Sequence, residues 1–166
     1  MKNIVLIGMP ASGKSTVGVV LAKTLGVGFV DTDLVIQQRE GRLLQDIIDK
    51  DGLKAFLEIE KNALLSLDCE NSVISTGGSA VFGEKAMENL KKNAVTVFID
   101  VSPSVLEKRL SNITTRGIVA KQGESVEDIL RERLPLYKKY ADFTISTENE
   151  NVESSVEKIV SLLKLN

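Results

Sequence analysis

An α/β fold, with one parallel sheet covered on both faces by helices, follows from three observations. Five short runs are rich in Val and Ile and hardly alternate between apolar and polar, the pattern of strands buried on both faces. Stretches of helical period lie between them. Strand and helix patterns alternate along the whole chain, as parallel sheets require.

In order, the strands are expected at 3 to 8 ("NIVLIG"), 27 to 31 ("VGFVD"), 72 to 76 ("SVIST"), 95 to 100 ("VTVFID") and 143 to 146 ("FTIS"). The first helix is expected at 14 to 25. A second runs from 33 to 49 with a break at Gly41, and a third from 53 to 67 with Phe56, Ile59, Ala63 and Leu64 on one face. Further helices are expected at 83 to 92, at 103 to 111 with Pro103 in the first turn, at 125 to 141 and at 152 to 164. The stretch "SNITTRGIVAKQGES", 111 to 125, is polar, has two glycines and lacks a period, and so reads as a surface loop or a mobile lid.

Composition prunes the chemistry. At 166 residues the chain suits a single domain, 1 to 166. It contains no His, which excludes histidine bases, Ser-His-Asp triads and histidine metal ligation. Its one cysteine, Cys69, can form neither an internal disulfide nor a thiolate zinc cage, and is expected to be a small buried or half-buried apolar residue. A net charge of -2 gives no footprint for nucleic acid. The apolar start is too short for a signal-peptide core and no run approaches membrane-spanning length. A cytoplasmic protein working as a monomer, without nucleic acid or membrane, is expected.

The stretch "GMPASGKST", 8 to 16, carries the first chemical signal. Gly8-x4-Gly13-Lys14-Ser15 has the spacing of a P-loop, between an expected strand and an expected helix. Such a loop turns the backbone N–H groups of Pro10-flanking Ala11, Ser12, Gly13 and the following residues toward phosphate oxygens at a helix N-terminus. Lys14 reaches the outer phosphates from a solvent-facing loop, Ser15 offers a hydroxyl to Mg2+, and Thr16 extends the loop into the helix. A phosphate-bearing ligand with Mg2+ is implied, and several classes of user are open. A GTPase is disfavoured: the Asp-x-x-Gly at Asp49 to Gly52 lies between helical stretches, and there is no Asn-Lys-x-Asp. The size and the 111 to 125 stretch favour a kinase of a small acceptor.

Asp31 and Asp33, in "FVDTD", lie at the C-terminal end of an expected strand, where ligands of open α/β sheets bind. One carboxylate can serve a metal shell while the other faces an acceptor hydroxyl. Alternatively Asp33 caps a helix beginning at Leu34. Asp100 is a rival acid by the same strand-end logic. Gly77 and Gly78 allow a close approach of backbone to ligand, or make a plain turn. Arg131 and Arg133 offer guanidinium groups suited to a carboxylate or phosphate, or are solvated helix charges.

The P-loop, "DTD" at 31 to 33, "GG" at 77 to 78, Arg116 and "RLPLYKKYAD" at 133 to 142 resemble, in order and spacing, the shikimate kinases. The resemblance implies a five-stranded parallel P-loop NTPase fold of nucleoside-monophosphate-kinase type, flanked by helices and closed by a lid. It implies transfer of the γ-phosphoryl of ATP to the 3-hydroxyl of shikimate, a step of chorismate and aromatic amino-acid biosynthesis. By resemblance Lys14 and Ser15 hold phosphate and Mg2+, Asp31 stands in the outer shell of the metal, and Asp33 binds the acceptor hydroxyl and takes its proton. Gly78 lines the shikimate pocket, Arg133 grips its carboxylate, Arg116 reaches in from the lid and Arg109 packs on adenine.

The chain departs from the family pattern at three places. Leu57, in "AFLEIE", stands where the family has an arginine that forms the other half of the carboxylate clamp, while Phe56 and Glu60 are kept. The lid reads Arg116-Gly117-Ile118 and the glycine triplet Gly77-Gly78-Ser79. Three readings remain open. One is a shikimate kinase whose clamp is repaired by Lys54 or Lys61; another is a related kinase of a different small hydroxylated metabolite; the third is a non-catalytic ATP sensor.

Overall fold

Five parallel strands, β1 (Asn3–Ile7), β2 (Gly28–Asp31), β3 (Ser72–Ser75), β4 (Ala94–Asp100) and β5 (Phe143–Ser146), lie in the order β2-β3-β1-β4-β5. The computed structural model of the chain describes residues 1–111, 118–147 and 151–164. In the register, Leu6 of β1 lies between Ser75 of β3 and Val97 of β4. β1 and β3 are buried along their whole length, as their unbroken apolar character requires. The edge strands depart from the expected two-sided burial. β2 is exposed or half-buried throughout and β5 buries only Ile145, because each has a neighbour on one side alone.

The helices are α1 (Lys14–Leu25), α2 (Thr32–Glu40), α3 (Leu44–Asp51), α4 (Leu53–Leu65), α5 (Glu84–Lys91), α6 (Pro103–Leu110), α7 (Val126–Tyr140) and α8 (Val152–Lys164). The expected 33 to 49 helix is two helices. Gly41 takes a left-handed conformation (φ 63°) that ends α2, and α3 restarts at Leu44. α7 opens with a capping box in which Ser125 and Asp128 bond each other's backbone N–H.

The apolar residues form two clusters. The larger joins β1, β3 and β4 to the helices on both faces of the sheet and includes Leu6, Val17, Leu21, Phe98, Tyr137 and Ile159. A smaller one gathers Ile36, Leu44, Ile47, Phe56 and Ala63 from α2, α3 and α4 with Val119 from the segment before α7. A separate helical lobe is thereby placed over the C-terminal ends of β2 and β3. Cys69 is half-buried, and desolvation pushes its thiol pKa up. Among the described residues no helix is long and apolar enough to cross a membrane.

Candidate functional site

A cleft of about 350 Å³ opens where the chain order reverses across the sheet, between the loop after β1 and the helical lobe. Its floor is the loop Gly8 to Gly13. Gly13 adopts φ 95° and leads into α1 without a side-chain cap and without an acid in the first turn, so the N-terminal N–H groups of α1 keep their attraction for an anion. Lys14 is 7% exposed, not solvent-facing as expected. Its Nζ donates to the carbonyls of Gly8 (2.9 Å) and Met9 (2.7 Å), which fold the side chain back across the loop.

At the end of β2, Asp31 joins two elements. Its Oδ2 accepts from Ser15 Oγ (2.7 Å), and its Oδ1 accepts from the backbone N–H of Asp33 (3.0 Å) and Leu34 (3.4 Å). Asp31 is therefore the cap of α2, and the expectation that Asp33 caps a helix at Leu34 is corrected. The helix starts at Thr32, so Asp33 falls in its first turn and borders the cleft beside Gly77. Among the described residues no three His, Cys, Asp or Glu groups cluster to hold a metal. A hydroxyl backed by one carboxylate fits Mg2+, which keeps several waters and takes its remaining ligands from phosphates. Ser15 and Asp31 provide that donor set.

The far end of the cleft is built by α7, α4 and the turn after β3. Arg133 is 2% exposed; its Nη2 donates to the carbonyl of Val119, and its carbon centre lies 5.4 Å from the Phe82 ring centroid. Among the described residues its Nε and Nη1 have no hydrogen-bond partner. A buried guanidinium with unmatched donors at a cleft wall is a site for an anionic oxygen. Tyr137, one turn further along α7, stacks on Phe98 and donates to the Gly78 carbonyl (2.6 Å). Gly78 packs so closely on the P-loop that a Cβ there would stand 2.6 Å from Pro10 Cδ. Burial pushes the Tyr137 phenol pKa far up, so it remains a donor.

Glu60 of α4 is 2% exposed and also lines the cleft. Its Oε2 accepts from Ser79 Oγ (2.6 Å), while its Oε1 has no hydrogen-bond partner among the described residues. Burial, the largest cause, pushes its pKa up to about 7; the negative charge of Asp33 adds to the rise, and Ser79, Arg133 and Lys14 oppose it.

Of the residues singled out in the sequence, Pro10, Ala11, Gly13, Lys14, Ser15, Thr16, Asp31, Asp33, Gly78 and Arg133 all line this one cleft. Gly8 and Ser12 lie beneath the loop as partners of Lys14. Arg109 of α6 donates to the Ala11 carbonyl (3.1 Å) and so borders the loop from outside the cleft. Asp100 does not line it, and Arg131 is a solvated charge on α7, its side chain 77% exposed beside Asp128. Arg116 lies outside the described residues.

Leu57 does not line the cleft. It faces a smaller groove, about 190 Å³, on the other side of Glu60 and Ser79, together with Lys54, Lys61 and Phe82. The proposed repair of the clamp by Lys54 or Lys61 is therefore not what the structure shows: both border the side groove, and Lys61 pairs with Glu58. Sequence reasoning passed over Glu60, Ser79 and Tyr137 as site residues. Glu60 had a readable signal, since a charged residue sits at a core position of α4. The buried face is Phe56, Glu60, Ala63 and Leu64, with Ile59 only half-buried.

The shikimate kinase family model matches residues 10–164. A shikimate kinase from Thermodesulfovibrio yellowstonii is 39% identical, covering 96% of this chain and 94% of its own. One from Mycobacterium avium is 40% identical over 96% of this chain and 92% of its own. The solved shikimate kinase of Acinetobacter baumannii in complex with shikimate superposes with a TM-score of 0.93 at 30% identity, covering all of this chain (100%) and 94% of that one. The parallel sheet, the phosphate loop at its switch point and these full-length matches lead to one conclusion: the chain belongs to the shikimate kinase family.

Proposed function

We propose that this protein transfers the γ-phosphoryl group of ATP to the 3-hydroxyl of shikimate. The observation that carries the reading is the pairing, within one cleft, of a phosphate loop with the buried Arg133, whose Nε and Nη1 await an anionic oxygen. The two ends fit the two ends of the reaction, a nucleotide phosphate and an acceptor carboxylate.

Phosphoryl transfer asks the protein chiefly for positioning and charge neutralisation. The N–H groups from Ala11 to Thr16 and the Lys14 ammonium hold the phosphates. The Ser15 hydroxyl, with Asp31 behind it, would hold Mg2+, which would supply neutralisation of charge on the phosphate oxygens. Asp33 accepts a hydrogen bond from the acceptor hydroxyl and takes its proton as the new P–O bond forms and the bond from the γ-phosphorus to the bridging oxygen breaks, releasing ADP. Gly78, fixed by Tyr137 and Pro10, walls the acceptor pocket, and Arg133 binds the carboxylate. Arg109 borders the adenine side of the loop, and Arg116 enters from a lid at about 111 to 125 to offset charge on the transferring group. One kinase domain, 1 to 166, acting as a cytoplasmic monomer completes the reading. A single half-buried cysteine, with no second one to pair with, supports the reducing compartment in this reading.

Coupled ADP release tests this, with shikimate assayed beside quinate, homoserine, threonine and gluconate. Shikimate should give the highest kcat/KM. A higher value with another acceptor would replace the substrate, and acceptor-independent ADP release would remove the kinase reading.

A further inference from the structure

The acceptor end of the cleft has an unusual balance of charge. Asp33 and Glu60 approach the same point from α2 and α4: a Cβ on Gly77 would stand 2.8 Å from Asp33 Oδ1 and 2.5 Å from Glu60 Oε1. Arg133 is the one cation from α7 that lines this region, and Lys14 lies at the phosphate end. The residue one turn before Glu60 on α4 is the apolar Leu57, and the cations of α4, Lys54 and Lys61, border the side groove. An incoming carboxylate adds a further negative charge beside Glu60, whose ionised form burial and the charge of Asp33 already disfavour, in a poorly solvated space.

The hydrogen bonds of Glu60 offer a way out. Oε2 is occupied by the Ser79 hydroxyl, so a proton on the carboxyl group resides on Oε1, the atom without a partner, beside Asp33 and Gly77. A neutral acid there is a donor, and a hydrogen bond from it to an anionic oxygen is of the strong, charge-assisted kind. We infer that Glu60 is a specificity-determining residue of this cleft: it receives the acceptor as a neutral acid, donating its Oε1 proton to an acceptor oxygen, so that an anionic acceptor enters together with one proton. The inference rests on the proposed acceptor site and adds a substrate requirement to it.

The surroundings agree with a neutral acid. Asp33 from α2 disfavours the ionised form, while Arg133 from α7, Lys14 from α1 and the hydroxyl of Ser79 favour it, and burial outweighs them. Among the described residues, Tyr137 of α7 is the other titratable neighbour and stays protonated. Lys54, Glu58 and Lys61 stand on the far side, at the groove. Ionisation of Glu60 as pH rises through about 7 should therefore weaken binding of an anionic acceptor.

The test is the KM for shikimate between about pH 6 and 8.5, where the shikimate carboxylate stays ionised. In the unaltered protein KM should rise about fivefold from pH 7 to pH 8, the dependence of a single required proton. Glu60→Gln, the same shape without the titration, should make KM flat across this range. Ser79→Ala removes a hydrogen bond that favours ionisation and should move the rise to higher pH. Carboxyl 13C NMR of the full chain, with the Glu60 signal assigned by its loss in Glu60→Gln, should show a midpoint near 7. A KM independent of pH, a rise that persists in Glu60→Gln, or a Glu60 midpoint in the ordinary carboxylate range would overturn the inference. Absence of shikimate-dependent turnover would instead overturn the substrate, and the NMR midpoint would then decide the state of Glu60 alone.

Discussion

The hydroxyl of Tyr137 donates to the carbonyl of Gly78 over 2.6 Å, tying the helix that carries Arg133 to the turn after β3 that lines the cleft. The bond is partly buried, and the Tyr137 ring is stacked on Phe98 in the main core. Tyr137→Phe keeps the packing and leaves the carbonyl of Gly78 without this donor. Unfolding by denaturant should show a loss of about 1 to 2 kcal/mol. The KM for shikimate should rise severalfold, with a smaller change in kcat.

Lys14→Ala removes the cation at the centre of the phosphate loop. Its kcat should fall by at least about a hundredfold, the scale of losing one transition-state charge stabiliser. Because Lys14 is buried and bonded to the Gly8 and Met9 carbonyls, the melting temperature should fall as well. Unchanged activity would refute the loop as the nucleotide site.

Leu57→Arg places a guanidinium one turn before Glu60, at the side groove that both residues line. A cation there favours the ionised form of Glu60 and offsets its charge. The KM for shikimate should drop at pH 8 and change little at pH 6, with kcat nearly constant, since a remote carboxylate is bound alike in ground and transition states. A KM unaltered at both pH values would show that residue 57 has no electrical influence on the acceptor.

Arg116→Ala tests the role assigned by resemblance to a residue outside the described part of the structure. A lid cation that acts on the transferring group should lower kcat by about a hundredfold or more, while thermal stability stays the same. A loss confined to the KM for ATP would reassign Arg116 to nucleotide binding.

Stability should carry the mark of Glu60 too. Its folded pKa of about 7 is raised above the ordinary 4.5. The favourable effect of the neutral form is complete below the unfolded value and is lost as pH rises through the folded one. Relative to Glu60→Gln, the unaltered protein should therefore lose stability between about pH 4.5 and 7, by on the order of 3 kcal/mol in all. Denaturant titrations of both proteins at pH 5 and pH 8 measure it; parallel curves would place Glu60 in a more solvated setting than the fold suggests.

The alternation of Val- and Ile-rich runs with helical periods determined the α/β class, and the spacing from Gly8 to Ser15 located the loop that leads into α1, because both depend on contacts close in sequence. Sequence order and spacing likewise singled out Asp31, Asp33, Gly78 and Arg133, all of which line the cleft. Local pattern did not reveal which carboxylate caps α2, since Asp31 and Asp33 are both suited to it and the choice depends on Ser15 taking the other oxygen of Asp31. Nor did it separate the exposed Arg131 from the buried Arg133, two residues apart on one helix, until α7 was packed against Phe82 and Val119. The core position of Glu60 on α4 was readable, but what surrounds it was decided by tertiary structure. Its burial, its bond to Ser79 and its nearness to Asp33 join α4, the turn after β3 and α2. A pKa responds to what surrounds a group in space, which chain order does not contain.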